Sequence, residues 1–316
     1  MRQKILDILR SSDGYVSGEE ISRRLSISRT AVWKHINALR SGGCEISSVT
    51  NKGYRLERGD ILAPDEIRRF LKTKLIGSNI VCLAETDSTN NECKRQPQLS
   101  DGTVIAAERQ SNGRGRRGNT WISPNGGAWF SILLKPAISP RYVSGITLAA
   151  GLAVCRAIGC GAKIKYPNDI VIGTKKVCGI LTELSAEENE VNYVVCGIGV
   201  NISQTEFPGQ LSERATSVLA ETGENVDRTE MIARILNEFE PLYYEFLQSG
   251  AEGYIDEYRR HCVTIGSEVT AAYGGKSIRG VCTGVNADGS IDIKTEEGTV
   301  NINSGEVSVR GIYGYV

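Results

Sequence analysis

The stretch Gly113-Arg114-Gly115-Arg116-Arg117-Gly118-Asn119-Thr120-Trp121 follows a strand-like run at 103–108 and packs three glycines and three arginines into six residues. Glycine loses more backbone entropy on ordering than any other residue, so such a loop is costly unless the chain must come close to something. Glycines let N–H groups approach an anion, and arginines add charge and forked donors for carboxylate or phosphate. The spacing matches neither G-x-x-x-x-G-K-[ST] nor a G-x-G-x-x-G that opens a helix. By itself the loop points to an anionic ligand of unspecified kind, with a solvated basic turn as the alternative.

Four further segments carry groups that could do chemistry. Thr86-Asp87-Ser88-Thr89-Asn90 joins a strand to a helix and places hydroxyls and an amide at the helix start. Lys165-Tyr166-Pro167-Asn168-Asp169 sets a lysine and an Asn-Asp pair around a rigid proline. Lys175-Lys176-Val177-Cys178-Gly179-Ile180-Leu181 puts lysines ahead of an apolar strand, and Gly197-Ile198-Gly199-Val200-Asn201 ends a strand with glycines and an amide. The first three each have a plain structural reading, an N-cap from Asp87 or Ser88, a turn and a solvated strand edge, while the last is consistent with close backbone approach to a ligand. Nucleophilic triads are not evident. The 9 cysteines form no C-x-x-C pair and only 2 histidines accompany them, which argues against a zinc site or a disulfide framework.

The elements that must position these groups read as three domains. Ile5, Leu6, Ile8 and Leu9 form a helical stripe, and Ser17-Gly18-Glu19-Glu20 reads as a capping box opening a short helix to Leu25. A turn, Ser26-Ile27-Ser28, leads to a helix over 29–40 with Val32, Ile36 and Leu39 inward and Arg29, Thr30, Trp33, Lys34 and Asn37 outward. Strand runs at 45–49 and 54–56 around a Lys52-Gly53 tip complete the pattern of a winged helix-turn-helix, with a small protein-binding adaptor as the alternative. Beyond a boundary at Arg58-Gly59-Asp60, strands are expected at 80–83, 103–107, 128–134, 163–166, 170–172, 179–184 and 193–198. Helices are expected at 64–71, 90–95, 140–160, 228–248 and 251–262. This is an α+β domain on a mixed sheet. After Thr264, short runs at 268–271, 277–285, 291–294 and 300–303 with glycine turns suggest a small β-barrel. The expected domains are 1–60, 61–264 and 265–316.

Composition narrows the class. Lys+Arg and Asp+Glu both total 37 among 316 residues, so no global basic field exists. Residues 1–60 nevertheless hold 11 Lys/Arg against 7 Asp/Glu, a local +4 that suits a modest polyanion footprint. The N-terminus lacks a signal-like apolar core and no apolar run is read as a membrane span, so the sequence reads as a reduced, soluble, cytoplasmic protein.

Taken in order, G-R-G-R-x-G-x-x-W, K-[WY]-P-N-D, K-x-x-G-I-L and G-x-G-x-N, with the helix-turn-helix before them, resemble the group II biotin–protein ligases over essentially the whole length. That family implies an N-terminal winged helix, a central mixed-sheet, class II synthetase-like ligase domain and a C-terminal SH3-like β-barrel. It also implies a ligase that activates biotin with ATP and Mg²⁺, transfers it to a lysine of a biotin carboxyl carrier protein such as that of acetyl-CoA carboxylase, and represses biotin genes at operator DNA as a ligand-promoted homodimer. By resemblance, Ser88, Thr89 and Asn90 with Gln110 hold the ureido ring, while Gly113, Arg114 and Arg116 belong to the loop over biotin and the adenylate. Trp129 is the aromatic wall behind the biotin tail. Asn168 and Asp169 lie near the nucleotide and its Mg²⁺, Lys176 contacts the α-phosphate and carboxylate, and Asn201 leads into the region around the adenine. Arg116, Lys176 and Asp169 are thus the expected catalytic groups, and Arg29, Thr30, Lys34, Asn37 and Lys52 the expected DNA contacts. Tyr166 departs from the more frequent tryptophan. Two other functions stay open: a DNA-binding biotin sensor without ligation, and a lipoate or octanoate ligase-like enzyme.

Overall fold

A computed structural model describes residues 1–12, 14–41, 44–58, 62–273, 276–303 and 309–310. The chain forms two compact units, Met1–Glu66 and Ile67–Val316. The expected boundary at 60/61 falls outside the described residues.

The first unit is built from α1 (Arg2–Arg10), α2 (Gly18–Leu25), α3 (Arg29–Ser41), β1 (Glu45–Val49) and β2 (Gly53–Arg58). Ser17 caps α2 by accepting from the Glu20 amide at 3.0 Å, and Ser28 does the same for α3 with Ala31 at 3.1 Å. Two serines therefore set both helix starts, and the turn between them closes through Ser26 in the left-handed region. Ile5, Leu6, Leu9, Ile21, Val32, Ile36 and Leu39 share one core. β1 and β2 form an antiparallel hairpin, and Val16 exchanges backbone hydrogen bonds with Tyr54, adding a short third rung. Gly53 is required there: a Cβ would stand 2.2 Å from the Val16 carbonyl oxygen.

After α4 (Pro64–Arg68), shorter than the expected 64–71, the second unit holds two sheets. The central one comprises β3 (Ile80–Thr86), β4 (Thr103–Gln110), β5 (Ala128–Leu134), β6 (Lys163–Lys165), β7 (Asp169–Ile172), β8 (Lys175–Glu187) and β9 (Glu190–Val200). Their order is β3-β4-β5-β9-β8-β7-β6, and only β3 and β4 run parallel. The helices are α5 (Thr89–Arg95), α6 (Ser144–Ile158), α7 (Val218–Thr222), α8 (Arg228–Ser249) and α9 (Ile255–His261). Val195 faces Cys93 of α5 across one side of the sheet. Thr182, on the alternate side, meets Thr147 of α6 at 2.8 Å, so α5 and α6 cover opposite faces. β8 and β9 run past their expected ends because their polar residues are also paired, Ser185 with Tyr193 and Glu187 with Glu190 between the two strands, and Lys175 and Lys176 with β7, ladders that hydropathy does not reveal. A 3-10 turn at Gly250–Gly253 delays α9 relative to the expected start at 251.

Among the described residues, Pro140–Ile158 is the one stretch whose length and apolarity would suit a membrane span. It is 72% buried and serves here as a core helix. The C-terminal sheet, β10 (Glu268–Tyr273), β11 (Lys276–Val285), β12 (Ile291–Thr295), β13 (Gly298–Ile302) and β14 (Val309–Arg310), is antiparallel with order β13-β12-β11-β10-β14. Where a barrel was expected, β13 and β14 do not pair with each other among the described residues. β14 had no counterpart in the sequence reading.

Candidate active site

A single row of register partners crosses the α5-covered face of the central sheet: Lys165, Asp169, Gly179, Gly199, Trp129 and Ala107. The two glycines at its centre leave a trough, and Trp121 fills it. A Cβ on Gly199 would stand 2.5 Å from the Trp121 indole nitrogen, and one on Gly179 3.1 Å from its ring. Trp129 meets Trp121 edge-on at 6.3 Å, and the Lys176 ammonium lies 4.8 Å from the Trp121 ring centroid. The Trp121 N–H is buried without an acceptor.

The Gly/Arg loop that delivers Trp121 is itself laddered. Trp121 donates to the Gly113 carbonyl at 2.8 Å and Gly115 to the Asn119 carbonyl at 2.7 Å. The strands of this arm nearly touch, since a Cβ on Gly113 would lie 2.2 Å from the Trp121 carbonyl oxygen. The amides of Gly115 and Trp121 are thus spent inside the loop, and the charge facing outward comes from the arginine side chains. Arg116 donates to Asn168 Oδ1 at 3.3 Å, and Arg114 reaches Asn91 Oδ1 at 2.8 Å and the Glu183 carboxylate at 3.3 Å. Burial pulls the Arg116 pKa down, with Arg117 adding to the effect. That is the signature of a cation held where an anion would relieve it.

Beside this trough sits a polar pocket. Ser88, Thr89 and Asn90 are buried at the start of α5. Ser88 occupies the N-cap position without its hydroxyl capping the helix, so capping does not explain it. The Thr89 N–H and hydroxyl both donate to Gln110 Oε1, at 2.8 and 3.2 Å, and Gln110 Nε2 donates to Ser123 at 2.7 Å. Ser131 lies 2.7 Å from the Thr89 hydroxyl and 2.6 Å from Asn90 Oδ1, while Asn90 Nδ2 donates to Glu183 at 2.9 Å. Burial pushes the Glu183 carboxyl up, but Lys94, Asn90 and Arg114 outweigh it and leave the pKa below the ordinary value.

At the other end, Lys176 pairs with Asp169 at 2.5 Å. Asn168 Nδ2 donates to the Ile180 carbonyl at 2.7 Å and is fixed beside them. Lys165 is buried in the same corner. Desolvation draws its pKa down to about 8, with Lys176 in the same direction and Asp169 opposing. Tyr166 donates its hydroxyl to the Gly289 carbonyl at 2.8 Å, tying this corner to a turn of the C-terminal sheet. Among the described residues no cluster of three or more His, Cys, Asp or Glu could cage a metal.

These groups line one cavity of about 370 Å³. Of the expected residues, Ser88, Thr89, Asn90, Gln110, Arg114, Arg116, Asn168, Asp169 and Lys176 line it. Gly113, Trp129 and Asn201 do not. Gly113 sits at the loop base, Trp129 donates to the Pro124 carbonyl behind Trp121, and Asn201 donates to the Thr216 carbonyl. Sequence reasoning passed over Trp121 and Lys165. Both stood in quoted motifs, and the signal was the pair of glycines in K-x-x-G and G-x-G, whose shared row only strand pairing reveals.

In the first unit, Arg29, Thr30, Lys34 and Lys52 are exposed, whereas Asn37 is partly buried with Oδ1 near Arg40 at 3.5 Å. Trp33, which could have packed on the wing, is 55% exposed.

Comparison with known proteins covers the chain in three parts. The Biotin/lipoate A/B protein ligase family matches residues 81–201, an HTH domain residues 1–55, and the Biotin protein ligase C terminal domain residues 264–310. The bifunctional ligase/repressor BirA of Bacillus subtilis is 35% identical over 321 residues, covering 98% of each chain. That of Escherichia coli K12 is 29% identical over 317 residues, covering 97% of this chain and 96% of its own. The biotin protein ligase from Aquifex aeolicus in complex with biotin and ATP aligns with a TM-score of 0.66 at 33% identity, over 74% of this chain and 99% of that one.

Proposed function

Because the chain belongs to the biotin protein ligase family and aligns end to end with its bifunctional members, we propose that it both ligates biotin and represses transcription. The second unit activates biotin with ATP and passes the biotinyl group to a lysine of a biotin carboxyl carrier protein, that of acetyl-CoA carboxylase or a related enzyme. The first unit binds operator DNA through its helix-turn-helix. The observation that carries this reading is the joined cavity, with a neutral polar pocket at one end and Arg116, Lys165 and Lys176 around Asp169 at the other.

The chemistry follows from that arrangement. A biotin carboxylate oxygen attacks the α-phosphorus of ATP, pyrophosphate leaves, and biotinyl-AMP forms. Both reactants are anions, so the work is charge neutralisation and alignment, for which no covalent nucleophile is needed. Ser88, Thr89, Asn90 and Gln110 offer donors and acceptors to the ureido ring at the closed end. Trp121 walls the tail, with Trp129 buttressing it from behind. Lys176 stabilises the charge that shifts between carboxylate and α-phosphate, and Arg116 clasps the adenylate from the loop. In the second step a neutral carrier lysine attacks the mixed anhydride carbonyl, AMP leaves, and the amine proton is lost. Asp169 is the one carboxylate at this corner that lines the cavity. A magnesium ion there would be held largely by nucleotide phosphates, with Asp169 and Asn168 at hand, and would supply further charge neutralisation.

The reading carries finer assignments: domains at 1–60, 61–264 and 265–316, a class II synthetase-like central fold, a C-terminal sheet completed as an SH3-like barrel, and a homodimer promoted by the adenylate. Asn201 anchors the segment offered to the adenine. Its work belongs in the cytoplasm, where ATP, carrier and operator meet. One assay tests the enzyme: protein with ATP, labelled biotin or lipoate, and an apo carrier domain. Biotin label on the carrier lysine is expected; lipoate labelling, or binding without transfer, refutes it.

A further inference from the structure

A repressor must tell one DNA sequence from another, and the exposed surface of α3 offers an unexpected group for that task. With successive residues about 100° apart around a helix, burying Val32, Ile36 and Leu39 leaves an outward arc that runs Trp33, Asn37, Thr30, Lys34. Trp33 is 55% exposed, while Trp129, deep in the second unit, is 1% exposed. Thr30 and Lys34 on the same arc are exposed, as are Arg29 at the helix start and Lys52 at the hairpin tip. This is a single large apolar group within a cationic rim, not a continuous apolar patch of the kind that docks proteins.

The rim fits a polyanion, and the tip fits the one apolar group that base edges show in the major groove, the 5-methyl of thymine. Asn37, the side chain best suited to bond adenine, is partly buried and already lies near Arg40. Resting on the DNA-binding function proposed above, we infer that Trp33 is a sequence-reading residue whose indole packs on a thymine methyl in each operator half-site. Burying one methyl group is worth about 0.8 kcal/mol, or roughly fourfold in affinity, so two half-sites compound to about fifteenfold.

The test uses the full chain with biotin and ATP. High-affinity duplexes are selected from a random 40-base-pair library, then remade with 2′-deoxyuridine replacing thymine, which removes only the methyl groups. Wild type should bind the uridine duplex about fifteenfold more weakly, and restoring thymines singly should locate one responsible methyl per half-site. Trp33→Ala should bind both duplexes equally, near the wild-type affinity for uridine, while still biotinylating the carrier. Lys34→Ala should weaken both duplexes by the same factor. Equal wild-type affinity for the two duplexes, or full discrimination by Trp33→Ala, overturns the inference alone. Failure to select any duplex overturns it together with the DNA-binding reading.

Discussion

Removing Lys176 separates catalysis from stability in a way the structure makes quantitative. Its ammonium lies 2.5 Å from Asp169 Oδ1, with the two side chains 17% and 16% exposed. Lys176→Met therefore deletes a cation from the reacting corner and leaves a mostly buried carboxylate without that partner. Loss of one positioned electrostatic group typically costs two to three decades in rate, so adenylate formation should fall roughly 100- to 1000-fold. The abandoned carboxylate should also cost roughly 1–3 kcal/mol of stability, toward the lower end because both groups keep some water. Adding Asp169→Asn neutralises that carboxylate, so the double variant should regain most of the stability and none of the rate. Pyrophosphate release under single-turnover conditions reads the first quantity and thermal unfolding the second. If Lys176→Met adenylates within a few-fold of wild type, or if the double variant recovers rate along with stability, the lysine serves packing rather than chemistry.

Arg116→Gly should bind biotin only moderately worse but release biotinyl-adenylate much faster, because the Arg116–Asn168 contact ties the loop to the turn between β6 and β7; an unchanged stopped-flow chase refutes this. Lys165 is buried with its pKa drawn to about 8, so its charged form is disfavoured in the fold and is lost as pH rises through that value. ATP affinity should therefore weaken between about pH 7 and about pH 9, and Lys165→Met should bind weakly with that pH dependence gone; isothermal titration at several pH values decides. The buried Glu240 carboxylate accepts the amides of Lys74, Leu75 and Ile76 at 2.7, 2.8 and 2.8 Å. Glu240→Ala strands those donors at a cost of roughly 2–4 kcal/mol, a fall in Tm of about 5–10 °C by calorimetry. Operator binding against protein concentration, with and without biotin plus ATP, should steepen and tighten when the adenylate forms; equal curves refute a ligand-driven dimer.

Much of the architecture lay in local signals. Ser17 and Ser28 announce the two helices of the DNA-binding unit because a cap is a contact between residues three apart. β5 was legible to the residue, since a strand buried on both faces is apolar at every position here except Ser131. The residue types of the site were legible too, as charge and glycine are written in the chain itself. Tertiary structure alone decided which of them meet. Lys165, Asp169, Gly179, Gly199 and Trp129 come from five strands, and their shared row is a matter of register, set by pairing between segments up to about seventy residues apart. For the same reason Trp121 replaced Trp129 as the wall of the cavity: a trough made by two glycines on neighbouring strands belongs to neither segment. The polar ends of β8 and β9 are held by backbone pairing, Ser185 with Tyr193, Glu187 with Glu190, and Lys175 and Lys176 with β7, so no apolar periodicity marks them. Trp33 is the converse case, where the helical period put the side chain outward and the fold left it uncovered.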